Sequence, residues 1–517
     1  MGRIAESASG WDAGPDGGRE EGPEGGRPGR TVAVVGGGVA GTSVILHLVR
    51  TLLGPSGGAG RGRVGTVLLI DPQPAGWGLA FGDTDPLLLC NTAVEINSLL
   101  ADRPFDFVTY LRRHGWTGGE KDCVPRARMA EYCHDRFTWA RERAAAHGIA
   151  VRQVRGTAAL VETRGAEGPR IELADGRVVR ADGVVVCTGV HRPRTPDGFA
   201  AFTAHPRYLD SPYPAARIRT LRPDSRVLVV GSHQSAVDAS LLLCRDGHRT
   251  TVTSPSGLLP AVRVSLAAPV RDFPPLDRIA RLDPGDPCLE ERLVRCVVEA
   301  VRLLGPLPLR RQTSRAADPV RRLREETALM EEGACACAGV MVPLIEAVIA
   351  LAPALPPARR TALAARFGWF TGRYATAVTA VNARRLLACF DSGALRMAPS
   401  YPSAVAFDGG AWRVAAPDGR VERFDYVVNA TGYHPPVLHW DRAGSALHLG
   451  DPPPHATAVD HLEGDLRVRR AAGAAPERVW VVGVGTHVRI PFANHLRNVV
   501  RQARQVAREL AGAEVAV

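Results

Sequence analysis

Lysine is nearly missing from this chain. Lys121 is the single lysine among 64 cationic residues, and the other 63 (64 − 1) are arginine. A lysine Schiff base of the kind that holds pyridoxal phosphate is thereby nearly excluded. Long apolar runs are missing too. None reaches the roughly 18 to 20 residues needed to cross a bilayer, and the opening MGRIAESASGWDAGPDGG has no hydrophobic centre of a signal peptide. The expectation is a cytoplasmic protein with no membrane partner. The ten cysteines contain no CxxC pair, the nearest couple being Cys335 and Cys337, so neither a zinc ribbon nor a dithiol reductase is indicated and no metal site is expected. They read as reduced, mostly buried thiols, with the couple in a helical core. The net charge of +11 is spread along the chain without a basic block, so no nucleic-acid partner is expected. Heavy Arg, Ala, Gly and Pro usage matches a GC-rich coding bias, which accounts for the charge.

What is present is enough to bury more than one core. With 517 residues, 45% of them hydrophobic and 23% charged, two or three domains are expected. Residues 1–29 are rich in Gly, Pro, Glu, Asp and Arg and read as a disordered arm. From Thr31, TVAVV reads as a buried strand entering GGGVAG, and TSVILHLVRTLL has helical apolar spacing. VGTVLLID, ending at Asp71, reads as the next strand. The pattern repeats where SRVLVV enters GSHQSAVD, the helical ASLLLCRDG and the strand TTVTS. The implied fold class is α/β, with two Rossmann-like, doubly wound dinucleotide-binding domains. RIELADGRVVRADGVVVCTG and WRVAAPDGRVERFDYVVNATGY each read as a hairpin feeding a buried strand, stopping at Thr188-Gly189 and Thr431-Gly432. Residues 288–394 carry helical spacing broken by prolines and read as a helical insertion. The expected division is 30–220 with 395–517 for the first nucleotide domain and 221–287 for the second, with a closing helix from about Asn494 to Leu510.

Gly36, Gly38 and Gly41 stand in GxGxxG spacing between a strand and a helix. Gly36 permits the tight turn, Gly38 lets backbone approach a pyrophosphate, and Gly41 allows close helix–strand contact. Asp71 ends the following strand, placed to accept from ribose hydroxyls; it lies 30 residues beyond Gly41 (71 − 41), with the loop GPSGGAGRGRVG accounting for the length. The second turn runs Gly231, Ser232, His233, Gln234, Ser235, with His233 and Ala236 where glycines would stand. A nucleotide there is expected to bind more loosely, as a cosubstrate that leaves each turnover should. The strand after it ends in Thr253, Ser254 and Ser256 without an acid, which removes the carboxylate that would repel a 2′-phosphate and favours NADPH over NADH.

These motifs, with AGWGLAFGDTDPLLLCNTAVEINSL, VPRARMAEYC, VVVCTG and SPSGLLPAVR, resemble the FAD/NAD(P)-binding family that contains flavin-dependent urate hydroxylase and the nitrosuccinate-forming aspartate N-monooxygenase. The likeness covers about Thr31 to Arg263 and resumes in the C-terminal half. More distantly, FDYVVNATGY is similar to the D-x-x-x-x-A-T-G-Y signature of amine N-hydroxylating monooxygenases, and GSHQSA to their GxGQSA turn, with His233 for a glycine and Asn429 for the usual leucine. The resemblance implies a flavin monooxygenase-like fold with FAD held at Gly36, Gly38, Gly41 and Asp71. It sets Trp77 to Asn91 beside the isoalloxazine and domain crossings at Thr188-Gly189 and Thr431-Gly432. The activity implied is NADPH-driven N-oxygenation of a small amino acid through a flavin hydroperoxide, with O2 as cosubstrate and aspartate as first candidate. Urate hydroxylation, hydride transfer without oxygen insertion, and a nucleotide-binding protein without turnover are the alternatives.

Other candidates have two readings each. His233 either contacts the nicotinamide ribose or fills space. His487 is a candidate proton donor near the flavin edge. Asn494 and His495 either face the flavin or cap the last helix. Arg263 and Arg489 either pair with a substrate carboxylate or serve the surface and the fold. The sequence leaves homo-oligomerisation open.

Overall fold

The computed structural model describes residues 29–54, 64–163, 168–269, 271–305, 308–471 and 473–512. The arm expected over residues 1–29 lies almost wholly outside them.

Two five-stranded parallel sheets organise the chain. In the first, the order is Val479–Val481, Gly183–Val186, Arg30–Val35, Val64–Ile70 and Ala150–Val154, every neighbour parallel. Its central strands are buried on both faces, which is why TVAVV and GVVV are continuous β-branched runs and do not alternate with polar residues. Helix Val39–Leu52 lies against the closing helix Leu496–Leu510, and Ile45, Leu48 and Val49 share one core with Val499, Ala503 and Val506.

The second sheet runs Leu395–Met397, Arg249–Thr253, Arg226–Val230, Tyr426–Asn429 and Tyr208–Leu209, also all parallel. This corrects the division drawn from sequence order. Strands at 208–209, 395–397 and 426–429, assigned there to the first domain, pair in the second sheet. Helix Ala380–Asp391, assigned to the insertion, packs on helix Gln234–Arg245 and contributes Ala383, Leu386 and Leu387 to the second core. The reason is physical: a parallel strand has no hairpin turn to name its partner, so sequence proximity carries little information about pairing. The hairpin preceding each crossing strand is present, as Arg170–Leu173 with Val178–Arg180 and as the three-stranded sheet Ala404–Asp408, Ala411–Ala415 and Val421–Phe424.

The helical segment begins at Pro274, earlier than expected. Its helices, including Leu289–Arg302 and Met341–Leu351, close a core of their own around Phe273, Ile279, Leu289, Ala300, Val301 and Leu344. Cys335 is half-buried at the edge of this region, while the side chain of Cys337 lies outside the described ones.

A buried polar knot joins the two nucleotide units. Arg126, at the start of helix Arg126–Ala145, donates to Asp238 Oδ2 at 2.7 Å, to Tyr213 Oη at 3.2 Å and to Leu89 O at 3.1 Å. Tyr213 Oη also donates to Asp238, whose side chain is 1% exposed. Truncating one member of such a pair leaves an uncompensated charge in a dry setting, so the knot fixes the relative placement of the units.

Candidate functional site

Both glycine turns have the same backbone logic. Gly36 has φ +101°, and a Cβ there would stand 2.6 Å from Cys187 O. Gly231 has φ +125°, and a Cβ there would stand 2.4 Å from Ala430 O. Each turn is therefore pressed against the end of the strand that crosses between units, just before Thr188-Gly189 and Thr431-Gly432, and only glycine meets both demands. Gly41 is held more tightly still: a Cβ there would fall 1.9 Å from Gly36 O. Gly38 is the opposite case. It is the N-cap of the first helix, with φ −69°, and a Cβ there meets nothing within 4 Å. The space above the helix N-terminus is open at this position, and a side chain would enter it.

Asp71 Oδ2 accepts from Gly37 N at 2.6 Å and Oδ1 from Gln73 N at 2.7 Å. The carboxylate thus braces the turn as well as standing at its mouth. Gly76 N donates to Gly37 O at 2.7 Å, which draws the 76–78 loop, with half-buried Trp77, over the turn.

In the second turn His233 is the N-cap, with an extended backbone and no side-chain capping bond. Ser232 Oγ is buried without a partner. Ser235 lies in the helix's first turn, half-buried. Ser254 Oγ lies 3.3 Å from Ser256 Oγ at the end of the next strand, where there is no carboxylate. Asn429, the departure from leucine, has a structural use. Its Nδ2 donates to Asp210 O at 3.0 Å and to Arg194 O at 2.6 Å, while its Oδ1 accepts from Thr431 N at 3.0 Å and from Thr431 Oγ1 at 2.7 Å. It fastens the crossing that ends at Gly432.

A segment of the first unit and the second turn meet at one carbonyl. Asn91 Nδ2, on the segment that follows the first turn's loop, donates to Ala377 O at 3.1 Å. Gln234 Nε2, from the second turn, donates to the same oxygen at 3.0 Å and to Thr376 O at 2.9 Å. Arg263 completes the clamp, with Nη1 2.9 Å from Ala375 O and 3.3 Å from Tyr374 O, and Nη2 3.3 Å from Asn91 O. Asn91 Oδ1 is left buried and unpaired. Such an orphaned acceptor beside an open turn marks a place where another donor belongs.

Arg263 is 2% exposed, and burial lowers its pKa to about 10, so it still carries its charge at neutral pH. Its Nη1 and Nη2 bonds run to backbone carbonyls, and its Nε is buried without a partner. Arg489 instead donates to Leu462 O at 3.0 Å. The two arginines share no bonded residue, so their hydrogen bonds do not bring them together as a converging pair.

At the same C-terminal edge of the first sheet, beyond strand Val479–Val481, His487 Nδ1 lies 3.2 Å from Val484 O. A carbonyl can only accept, so Nδ1 carries the proton and Nε2 offers the lone pair. Burial lowers its pKa, which disfavours the charged ring. The closing helix is capped by His495 and not by Asn494, which is exposed, and the His495 side chain makes no capping bond. His495 Nε2 and Asn498 Nδ2 are both buried and unpaired at this helix N-terminus. Burial, reinforced by Arg497 and Arg501, lowers the His495 pKa to about 4 and keeps the ring neutral. No cluster of metal-ligating side chains occurs among the described residues, and no helix among them is long and apolar enough to cross a membrane.

Residues 33–191 match the model of an FAD-NAD(P)-binding family. A comparison with curated proteins found no match. Among solved structures the chain is similar to ornithine hydroxylase from Pseudomonas aeruginosa, at 15% identity with a TM-score of 0.56, covering 93% of this chain and 99% of that one. It is also similar to L-lysine 6-monooxygenase from Pseudomonas syringae, at 16% identity with a TM-score of 0.53, covering 94% and 100%. The chain thus shares the fold of these two structures over nearly its whole length. The narrower likeness to urate hydroxylase and to the aspartate enzyme has no counterpart among these matches.

Sequence reading missed the Arg126–Asp238–Tyr213 knot and the clamp on the 374–377 carbonyls. Arg126 and Asp238 both stood inside motifs quoted for the resemblance, VPRARMAEYC and GSHQSAVD. Nothing in either string says that they meet across 112 residues.

Proposed function

We propose that the chain is an FAD- and NADPH-dependent monooxygenase acting on the nitrogen of a small amino acid, with O2 as cosubstrate. The observation that carries this reading is the shared carbonyl of Ala377, to which Asn91 and Gln234 both donate. It draws the segment beside the first turn and the second turn itself to one point, as hydride transfer from nicotinamide to flavin requires. Gly36, Gly38, Gly41 and Asp71 would hold FAD, with Trp77, Asn91, Thr188-Gly189 and Thr431-Gly432 along its crevice. Gly231, Ser232, Gln234, Ser235 and Ser254 would hold NADPH, together with the backbone of His233 at the helix N-cap. When bound, FAD supplies two-electron uptake from NADPH and the activation of O2. The overall balance is R–NH2 + O2 + NADPH + H+ → R–NHOH + NADP+ + H2O.

The chain's own part is positional. The amine must be neutral, because an ammonium ion has no lone pair, and His487, whose Nε2 would carry the free lone pair, is the group assigned to accept its proton. The N–H groups that open the helix at Leu496 favour negative charge in front of them, with neutral His495 adding no competing cation. Buried surroundings keep water away from the reacting centre.

Aspartate, the candidate that the family resemblance brings forward, is the first compound to assay, with nitrosuccinate as the product of repeated oxidation, and urate is the second. The test is oxygen uptake and hydrogen peroxide release by the purified protein with NADPH, with products identified by mass spectrometry. Substrate-coupled uptake with an oxygenated amine supports the reading. Peroxide release indifferent to every amine and purine would replace it with hydride transfer lacking oxygen insertion, and absence of NADPH oxidation would leave a nucleotide-binding protein.

A further inference from the structure

A cavity of about 380 Å³ lies where the helical segment meets the strand Val262–Arg263. Val297 and Val301 from helix Leu289–Arg302, with Met341 and Phe370, give it an apolar wall. Two charged groups reach it from the protein interior, and they differ in kind. Glu326 is paired with Arg373, and both are buried, so their charges cancel. Arg263 has no such partner. Its bonds run to the carbonyls of Asn91, Tyr374 and Ala375, and its Nε is a buried donor with nothing to donate to. A guanidinium stays protonated at neutral pH, and a buried cation without an anion is unfavourable. Exposed Arg310 and Arg315 stand at the rim of the same cavity, adding to the positive potential at its entrance.

The interior therefore carries one positive charge without an anion, an unused donor on Arg263 Nε, an unused acceptor on Glu326 Oε2 and a hydrocarbon wall. We propose that this cavity binds a small monocarboxylate with an apolar body, its carboxylate taken by Arg263 and its hydrocarbon part by Val297, Val301, Met341 and Phe370. A dicarboxylate is disfavoured, because its second carboxylate would lie against the apolar wall. Arg263 is also bonded to Asn91 O, on the segment set beside the flavin, so the carboxylate end of the occupant is the end nearest that segment. The occupant's being the oxygenated amine, an amino acid with an apolar side chain, rests on the monooxygenase reading; binding itself does not.

The test is calorimetric titration of the purified full-length protein with L-phenylalanine, L-leucine and octanoate, beside phenethylamine, which lacks the carboxylate, and L-aspartate. At least one of the three apolar carboxylates should bind at least about tenfold more tightly than phenethylamine and aspartate. Val297→Trp, which fills the cavity without touching the Arg263 bonds, should abolish that binding while melting temperature and flavin content stay unchanged. Arg263→Gln should do the same where its melt shows a folded protein. Failure of all three carboxylates to bind, equal binding of phenethylamine, or indifference to Val297→Trp would overturn the proposal. Binding that survives these controls in a protein that never couples oxygen uptake to an amine would sustain the cavity and sink the monooxygenase reading. Coupled oxygenation of aspartate or urate with no cavity binding would do the reverse.

Discussion

The turn at Gly36–Gly41 and the turn at Gly231–Ala236 begin alike and then diverge. Their first glycines share a positive φ and a close carbonyl behind them, Cys187 O in one and Ala430 O in the other. At the next position the first turn has Gly38 facing open space, whereas the second has His233, whose Nε2 would stand 3.5 Å from a Cβ built on Gly372. At the third, Gly41 has no room for a methyl group, while Ala236 fits into the second core. The first turn is braced by Asp71, and the strand beside the second ends in serine. The difference separates what a strand–turn–helix needs in order to fold from what it needs in order to hold a nucleotide permanently. Folding needs the first glycine. Tight holding adds the bare second position and the acid.

The largest expected effect breaks the comparison at its second position. Gly38→Leu places its Cβ in empty space at a negative φ, so the fold should survive while the pyrophosphate cradle is filled. Flavin content, read from the visible spectrum of the purified protein, should drop by more than about tenfold, and His233→Leu should leave it unchanged. A fully yellow Gly38→Leu protein would remove FAD from this turn.

Acid should distinguish the two units next. His47 and His495, both packed into the first unit, have pKa values lowered to about 4, chiefly by burial. Above pH 6.5 both folded and unfolded chains hold these rings neutral. Between 6.5 and 4 the unfolded chain takes up protons that the folded one refuses, so stability falls as pH drops, by up to about 3 kcal/mol for each ring. Urea midpoints measured from pH 7.5 to 4.5 should follow that slope, and His47→Gln should flatten it by one proton. A profile that is flat in the native chain would mean that these rings are not dry.

A smaller effect tests the missing acid. Ser254→Asp restores a carboxylate where the second strand ends, and it should raise the KM for NADPH about tenfold while changing that for NADH little. Equal responses to the two donors would move the 2′-phosphate elsewhere. The smallest concerns His233→Gly, which makes the second turn resemble the first. Removing the side chain should lower the KM for NADPH by roughly threefold, under 1 kcal/mol, with flavin content unaltered; a higher KM would show that the imidazole contacts the nicotinamide nucleotide.

The nucleotide turns were legible in the sequence because their information is local: a β-branched run, a glycine at a left-handed position and a helical period lie within about fifteen residues. The hairpins before Gly183–Val186 and Tyr426–Asn429 were legible for the same reason. The strand at 426–429 was placed in the wrong sheet, because its partner is Arg226–Val230, some two hundred residues earlier, and parallel pairing leaves no mark in the intervening chain. Arg263 was visible as a cation. That it is spent on three backbone carbonyls, with only Nε left over, depended on where the 374–377 turn arrives.

By itself, then, the sequence determined the two strand–turn–helix units, the difference between their glycine positions and the absence of an acid after the second, since each follows from backbone sterics and side-chain chemistry over a few residues. The tertiary structure alone decided which strands share a sheet, that Asn91 and Gln234 meet at Ala377, that Arg126 locks onto Asp238, and that an unpaired guanidinium borders a cavity. Those outcomes belong to groups distant along the chain, and burial and charge compensation act on what surrounds a group in space.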